Sequence, residues 1–293
     1  MEKTQRVSKY TALKQLVYSH LIAAVDTDVN VTETQSRSFI DISLYKSRDV
    51  QKILYISGVA LQRSKFLGFP AMEIASPIAS NLLATCGENF KVQIVSPGWI
   101  HLELTDLILA AWLENLVSFS EGWGEGGMGR GGDGEKQNLN FPPAPLPPCP
   151  PSLFTVQYAH ARCCSLMRLA KLEGLIKIHQ VGTDTSLSPT IPWLNIDRIR
   201  LNHQAERYLI GELVQVVDDL IYPRSSSSLH WEKAALDLTM AFEAFWCNCR
   251  IWGEVKTQEP KLAEARVGLV MATESVLRLI LEEKLGISAP IEI

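Results

Sequence analysis

FSEGWGEGGMGRGGDGEKQNLNFPPAPLPPCPPS, residues 119–152, is where the chain changes character. Its first part is glycine-rich and its last part proline-rich. Such a composition buries too little apolar surface to offset the entropy of ordering it. The glycine part predicts flexible coil, and FPPAPLPPCPP predicts an extended polyproline II rod of about 3.1 Å per residue. The segment therefore reads as a disordered linker between two domains, 1–118 and 153–293. A phosphate-loop reading of GWGEGGMG fails on context. Such a loop needs a strand before it and a helix after it, and the Walker form needs a Lys-Ser/Thr pair. Here more glycine and then proline follow. The proline run also suits an SH3-like partner, but P-x-x-P spacings arise readily in any proline-rich spacer.

The 293 residues have room for about two domains. Hydrophobic residues at 46% and charged residues at 20% suit an ordinary globular chain. No apolar run reaches the roughly 18 residues of a membrane span, and MEKTQRVSKYTALKQLV has neither the apolar core nor the cleavage site of a signal peptide. A cytoplasmic location with no membrane partner is expected. The formal charge is −4. Residues 1–118 balance, and the two later segments each carry a small acidic excess. That weighs against tight non-specific nucleic-acid binding and leaves room for a local basic face.

Cys86, Cys149, Cys163, Cys164, Cys247 and Cys249 show no C-x-x-C spacing. Adjacent or next-but-one cysteines point to different faces of a helix. All six are expected as reduced, buried or half-buried thiols, and neither a metal nor any other cofactor is expected.

Before the linker, helical spacing of Leu13, Leu16, Val17, Leu21 and Ile22 predicts a helix. FIDISLY alternates as a short strand through Phe39, Ile40, Ile42 and Leu44. Residues 49–66 and 70–85 read as two helices, the second opening at Pro70. KVQIVSPGWIHLEL reads as a hairpin turning at Pro97-Gly98, and TDLILAAWLENLV as a helix with Thr105 as N-cap. This is a small α+β unit. After the linker strand signals fade. Residues 153–172, 202–220, 229–252 and 261–286 read as helices separated by a loop at 174–193, the last stopping at Gly286. Their apolar stripes predict an all-α helical bundle.

VQYAHARCCSLMR (156–168), AFEAFWCNCRIW (241–252) and ARVGLVMATESVLRLILEEKLGISAP (265–290) together resemble, in order and spacing, the DALR anticodon-binding domain of arginyl-tRNA synthetases. KVQIVSPGWIHLEL (91–104) is similar to the V-x-V-x-G-P-G-F-I-N hairpin of the additional domain that opens the same enzymes. In that family a class I catalytic domain with an H-x-G-H motif and a K-M-S-K-S-like loop stands between these two ends. Here 34 residues of linker stand there. The resemblance thus implies a chain that does not aminoacylate by itself, and a non-catalytic tRNA-binding adaptor that grips the anticodon arm and the elbow of arginine tRNA from two tethered domains. A protein–protein assembly factor that reuses the fold without RNA is the alternative, favoured by the acidic balance.

Anticodon bases are unstacked, so aromatics can stack on them and polar groups can read their edges. Tyr158 matches the aromatic of the family's Q-Y-x-H motif, and Trp246 stands where that family has tyrosine. Each is read either as a stacking aromatic or as packing between helices. Arg162 and Arg250 are read as phosphate contacts or helix-to-helix ion pairs. Asn248 reads as a base-edge contact or a solvated helix position, and His160 as a hydrogen-bonded structural histidine. In the N-terminal domain Arg37, Lys46, Arg48 and Lys52 are candidate phosphate contacts, against the alternative of a solvated charged face. The family's P-E-R-M tail is replaced by Pro290 to Ile293, without the arginine and methionine. A cysteine nucleophile is not expected, because Cys163 and Cys164 sit among Leu166, Met167 and Leu169.

Overall fold

The computed structural model describes residues 12–26, 42–118, 151–176, 178–180, 187–189, 191–222 and 227–293. The N-terminal region is α+β. Helix α1 (Leu13–Asp26) precedes strands β1 (Leu44–Lys46) and β2 (Leu54–Ser57), helices α2 (Val59–Leu67) and α3 (Ala71–Cys86), the hairpin β3 (Phe90–Val95) and β4 (Trp99–Leu104), and helix α4 (Asp106–Ser118). The strands form one antiparallel sheet in the order β1-β2-β4-β3. The register places Tyr55 and Val92 on either side of Leu102. Leu13, Val17 and Leu21 of α1 join Ile78 and Leu82 of α3 and Phe90, Ile100 and Leu102 of the sheet in the buried core.

Two expectations need correcting here. Residues 49–66 are not one helix: ILYIS carries strand β2, and the helix begins only at Val59. Leu54 and Tyr55 point to opposite faces of the sheet and are both buried. A strand covered on both sides loses the alternation that would reveal it. The preceding strand is also shifted, starting at Leu44; Phe39 and Ile40 lie outside the described residues. The hairpin 90–104 is as expected, turning through Pro97-Gly98. Gly98 has φ 144°, and a Cβ there would stand 2.7 Å from the Ala71 Cβ, so the tip tucks against the start of α3 as only glycine allows. Thr105 precedes α4 and donates its hydroxyl to the Glu88 carbonyl at 3.0 Å.

The C-terminal region is helical. Helix α5 (Pro151–Leu172) is followed by short antiparallel ladders β5 (Ile178–Gln180) with β6 (Leu187–Pro189), and β7 (Leu194–Asn195) with β8 (Arg198–Ile199). The first ladder lies within the stretch expected as plain loop. Helices α6 (Gln204–Ile221), α7 (Ser228–Asn248), α8 (Glu254–Gln258) and α9 (Pro260–Leu279) complete the bundle, α9 ending in a π-turn at Ile280–Lys284. Gly286, with φ 66°, stops the helix as expected. Helix α5 opens at Pro151, a residue suited to a first helical position; the rest of the segment read as linker lies outside the described residues. In α6 the His203 ring accepts from the Ala205 amide and Glu206 reaches back to the His203 amide, a capping box.

α5 packs on α9 and α7, and α7 on α6, around Leu209, Leu213, Phe242, Phe245, Leu269 and Leu277. The two regions touch directly. Tyr55 donates to Asp218 Oδ2 at 2.5 Å, and the Lys14 amide donates to Oδ1 at 2.9 Å. Trp193 Nε1 donates to Glu114 at 2.5 Å, and Arg207 pairs with Asp106 at 3.4 Å. One buried apolar cluster runs across this junction. Among the described residues no helix is long and apolar enough to cross a membrane.

Candidate nucleic-acid interface

Helix α5 presents two polar stripes with different partners, because residues four apart share a helix face. One stripe is Tyr158 and Arg162. The Arg162 guanidinium lies over the Trp246 ring of α7, 4.7 Å from its centroid, and its NH1 stands 3.5 Å from the Tyr158 hydroxyl. Trp252, just past α7, meets Trp246 edge-on at 6.2 Å between centroids. Tyr158 is 45% exposed, while Trp246 and Trp252 are half-buried and pack against the core. The result is a row of aromatic and guanidinium planes, Tyr158–Arg162–Trp246–Trp252, along the α5/α7 groove. Such a row offers flat faces to bases and a cation to phosphate.

For Arg162 the structure shows a cation–π stack on Trp246. Trp246 serves partly as core and partly as the backing for that guanidinium. At the end of α7 the Asn248 side-chain amide donates to the Ala244 carbonyl at 2.7 Å, leaving the residue exposed. Arg250 is exposed, and its carbonyl accepts from Arg266 NH1. Arg266 in turn binds Glu206 at 2.6 Å, which ties the Arg250 loop to the start of α6. Trp252 escaped the sequence reading, although it follows Trp246 by six residues in the same exposed-end segment.

The other stripe is Gln157, His160, Cys164 and Arg168, and it holds the C-terminal tail. Gln157 Nε2 donates to the Ser288 carbonyl at 2.8 Å. His160 Nδ1 lies 2.9 Å from the Pro290 carbonyl, which can only accept. Arg168 donates to the Ile291 carbonyl at 3.2 Å and pairs with Glu292 at 3.0 Å. His160 is fully buried, with Nε2 2.9 Å from Glu274 Oε1. It is hydrogen-bonded, as the sequence reading expected. Burial acts to lower the imidazole pKa, but the Cys164 and Glu274 side chains and the Pro290 carbonyl outweigh it and bring it up to about 10.

The N-terminal candidates sit elsewhere. Lys46 and Arg48 line a cleft of about 530 Å³ with Tyr208, Glu212, Asp219 and His230, between the β1–β2 connection on one side and α6 with the first half of α7 on the other. Lys233 lines the same cleft and precedes Trp246 by 13 residues, or roughly 20 Å of helix at about 1.5 Å per residue. Lys52 pairs with Glu103 at 3.4 Å. Arg37 lies outside the described residues. Of the cysteines, Cys86, Cys163, Cys164 and Cys249 are buried, whereas Cys247 is exposed, contrary to expectation; Cys149 lies outside the described residues. Cys247 lies in the last turn of α7, exposed between the buried Phe245 and the buried Cys249 that caps the helix.

The DALR anticodon binding domain family matches residues 156–293. The arginine–tRNA ligase of Synechococcus sp. (strain JA-3-3Ab) is 33% identical over 136 residues, 46% of this chain and 21% of that protein. The arginine–tRNA ligase of Salinibacter ruber is 36% identical over 139 residues, and that of Pelodictyon phaeoclathratiforme 34% over 142. In each case the match covers about half of this chain and only about a fifth of the ligase. No solved structure matches the chain with significance. The α5/α7 groove with its row of aromatic planes thus lies inside residues 156–293, the segment that is similar to the DALR anticodon binding domain family.

Proposed function

We propose that the chain is a non-catalytic tRNA-binding protein that holds the anticodon arm along the α5/α7 groove. The observation that carries this reading is the Tyr158–Arg162–Trp246–Trp252 row, with an exposed phenol at one end and a stacked guanidinium beside it. Unpaired anticodon bases would stack on Tyr158 and on the open side of Arg162, each stack contributing about 1–3 kcal/mol. Asn248 and Arg250 would meet base edges and phosphates at the end of the groove. Arginine tRNA is the preferred ligand on this reading, since the relatives are arginine–tRNA ligases.

The same reading makes the chain an adaptor. Between α4 and α5, where the synthetase family carries its catalytic domain, 32 residues intervene, so tRNA would be held and passed on without being aminoacylated. The sheet domain would touch the tRNA elbow through Lys46, Arg48, Lys52 and Arg37, in the manner of the additional domain its hairpin resembles. A cytoplasmic location follows from work on tRNA.

A second reading has its own observation. Phe66, Phe69 and Met72, at the α2–α3 corner, are 88%, 61% and 44% exposed, an apolar surface suited to a protein partner. Titration of the full chain with total tRNA and with an arginine tRNA transcript, at low and moderate salt, separates the two. Saturable binding that weakens with salt and falls several-fold in Tyr158→Ala supports tRNA. A folded chain that binds neither RNA at low salt refutes it and leaves the protein-partner reading.

A further inference from the structure

We propose that His160, Cys164 and Glu274 form a zinc site inside the bundle, beneath the C-terminal tail. His160 and Cys164 stand four residues apart on one face of α5, and Glu274 faces them from α9. All three are buried, and one donor atom from each lies within 4.8 Å of the others. Thiolate, imidazole and carboxylate together are a donor set that suits Zn²⁺.

The distances fit with small movements. Donor atoms of a tetrahedral zinc stand roughly 3.3–3.6 Å apart, given bonds of about 2.0–2.3 Å. Here His160 Nε2 is 2.9 Å from Glu274 Oε1 and 3.9 Å from Cys164 Sγ. Cys164 Sγ also stands 3.8 Å from Nδ1, so to take up the ion the thiol would swing toward the Nε2 side of the ring while the His160–Glu274 pair opens by about half an ångström.

Two further observations point to a ligand. Among the described residues, Glu274 Oε2 is buried and has no hydrogen-bond partner. His160 and Arg278 both stand against the other oxygen, Oε1, at 2.9 and 3.8 Å. An ion bound by both carboxylate oxygens would satisfy Oε2 and supply a fourth donor atom. The His160 ring is also already oriented as a ligand would be. Its Nδ1 donates to the Pro290 carbonyl, the outer contact that aims Nε2 at the metal position.

Binding balances as follows. The Cys164 thiol gives up its proton, and the His160 ring gives up its Nε2 proton, now directed at Glu274. Two protons leave for each Zn²⁺ taken up, and the site of Zn²⁺, thiolate, carboxylate and neutral imidazole is uncharged overall. Uptake therefore strengthens as pH rises. The C-terminal tail that covers His160 would then be held by the metal through Pro290.

The test uses the full chain. Zinc is measured after purification without chelators, and the chain stripped of metal is titrated with Co²⁺ and then Zn²⁺. About one metal ion per chain is expected, with a thiolate-to-cobalt charge-transfer band that zinc abolishes. Cys164→Ser should remove the band, Glu274→Gln should weaken cobalt binding by tenfold or more, and Cys247→Ser should leave both unchanged. A folded metal-free chain that takes up no cobalt overturns the proposal. So does a band that survives Cys164→Ser and disappears in Cys247→Ser.

Discussion

Tyr55→Phe removes one hydroxyl from the junction between the sheet and the bundle, and its cost should depend on pH. Tyr55 is fully buried, and its hydroxyl donates to Asp218 Oδ2 at 2.5 Å. Burial raises the Asp218 carboxyl to about 6, while the Tyr55 bond is first among the contacts that pull it back down, followed by the Lys14 amide. A hydrogen bond to a charged group contributes about 1.5–3 kcal/mol, against about 1 kcal/mol for a neutral pair. At pH 8 Asp218 is ionised, and Tyr55→Phe should cost about 2–3 kcal/mol. At pH 4.5 it is mostly protonated in the folded chain, and the cost should fall to about 1 kcal/mol.

The parent protein carries the complementary signature. Because the folded carboxyl at about 6 lies above its ordinary value of 3.8, the folded state binds the proton more tightly between those values. Stability from this group is therefore highest below about pH 4, falls as pH rises to about 6, and is level above. The upper bound is about 3 kcal/mol, at about 1.4 kcal/mol per unit. Urea unfolding at pH 4.5 and pH 8, followed by tryptophan fluorescence and circular dichroism, measures both effects. Equal costs at the two pH values, or a cost below about 0.5 kcal/mol at pH 8, would refute the role given to this bond.

Gly268→Ala should destabilise the bundle by about 1–3 kcal/mol by overpacking, since a Cβ there would stand 2.6 Å from the Trp193 ring and 2.7 Å from Ile191 Cγ2; thermal unfolding reads this directly. Arg162→Ala should weaken tRNA binding several-fold and lower its salt dependence, whereas Arg162→Lys should keep most of the salt dependence and lose the planar stack, both seen in filter binding at several salt concentrations. Gln157→Ala should free the tail at Ser288, increasing amide exchange over residues 287–292 by severalfold while the rest of α5 is unchanged. Trp246→Ala should cost more stability than Tyr158→Ala, by about 2 kcal/mol or more, because the indole packs on the core and the phenol is half in solvent.

Much of this was legible in the sequence. The long helices announced themselves through apolar stripes, and the 90–104 hairpin through alternation around Pro97-Gly98. Strand β2 stayed hidden because its residues are buried on both faces, so that ILYIS reads equally well as helix. The ladders at 178–189 are three residues each, too short for any periodicity. At the site, residue types gave Tyr158, Arg162 and Trp246, and the structure brings all three together. What sequence could not give was their relation. Whether Arg162 reaches solvent or lies on Trp246 depends on the crossing of α5 with α7, which no local pattern encodes. Likewise His160 and Cys164 share a visible four-residue spacing, but Glu274 is more than a hundred residues away and only the packing of α9 supplies it.

An anticodon loop held in the α5/α7 groove should leave a footprint on the tRNA. Nucleotide-resolution footprinting of an arginine tRNA transcript with the full chain tests it most directly. Protection of the anticodon loop nucleotides by the parent protein is expected, with loss of that protection in Tyr158→Ala and circular dichroism unchanged. Absence of protection at saturating protein, or protection of the loop that persists in Tyr158→Ala and Arg162→Ala alike, would contradict it.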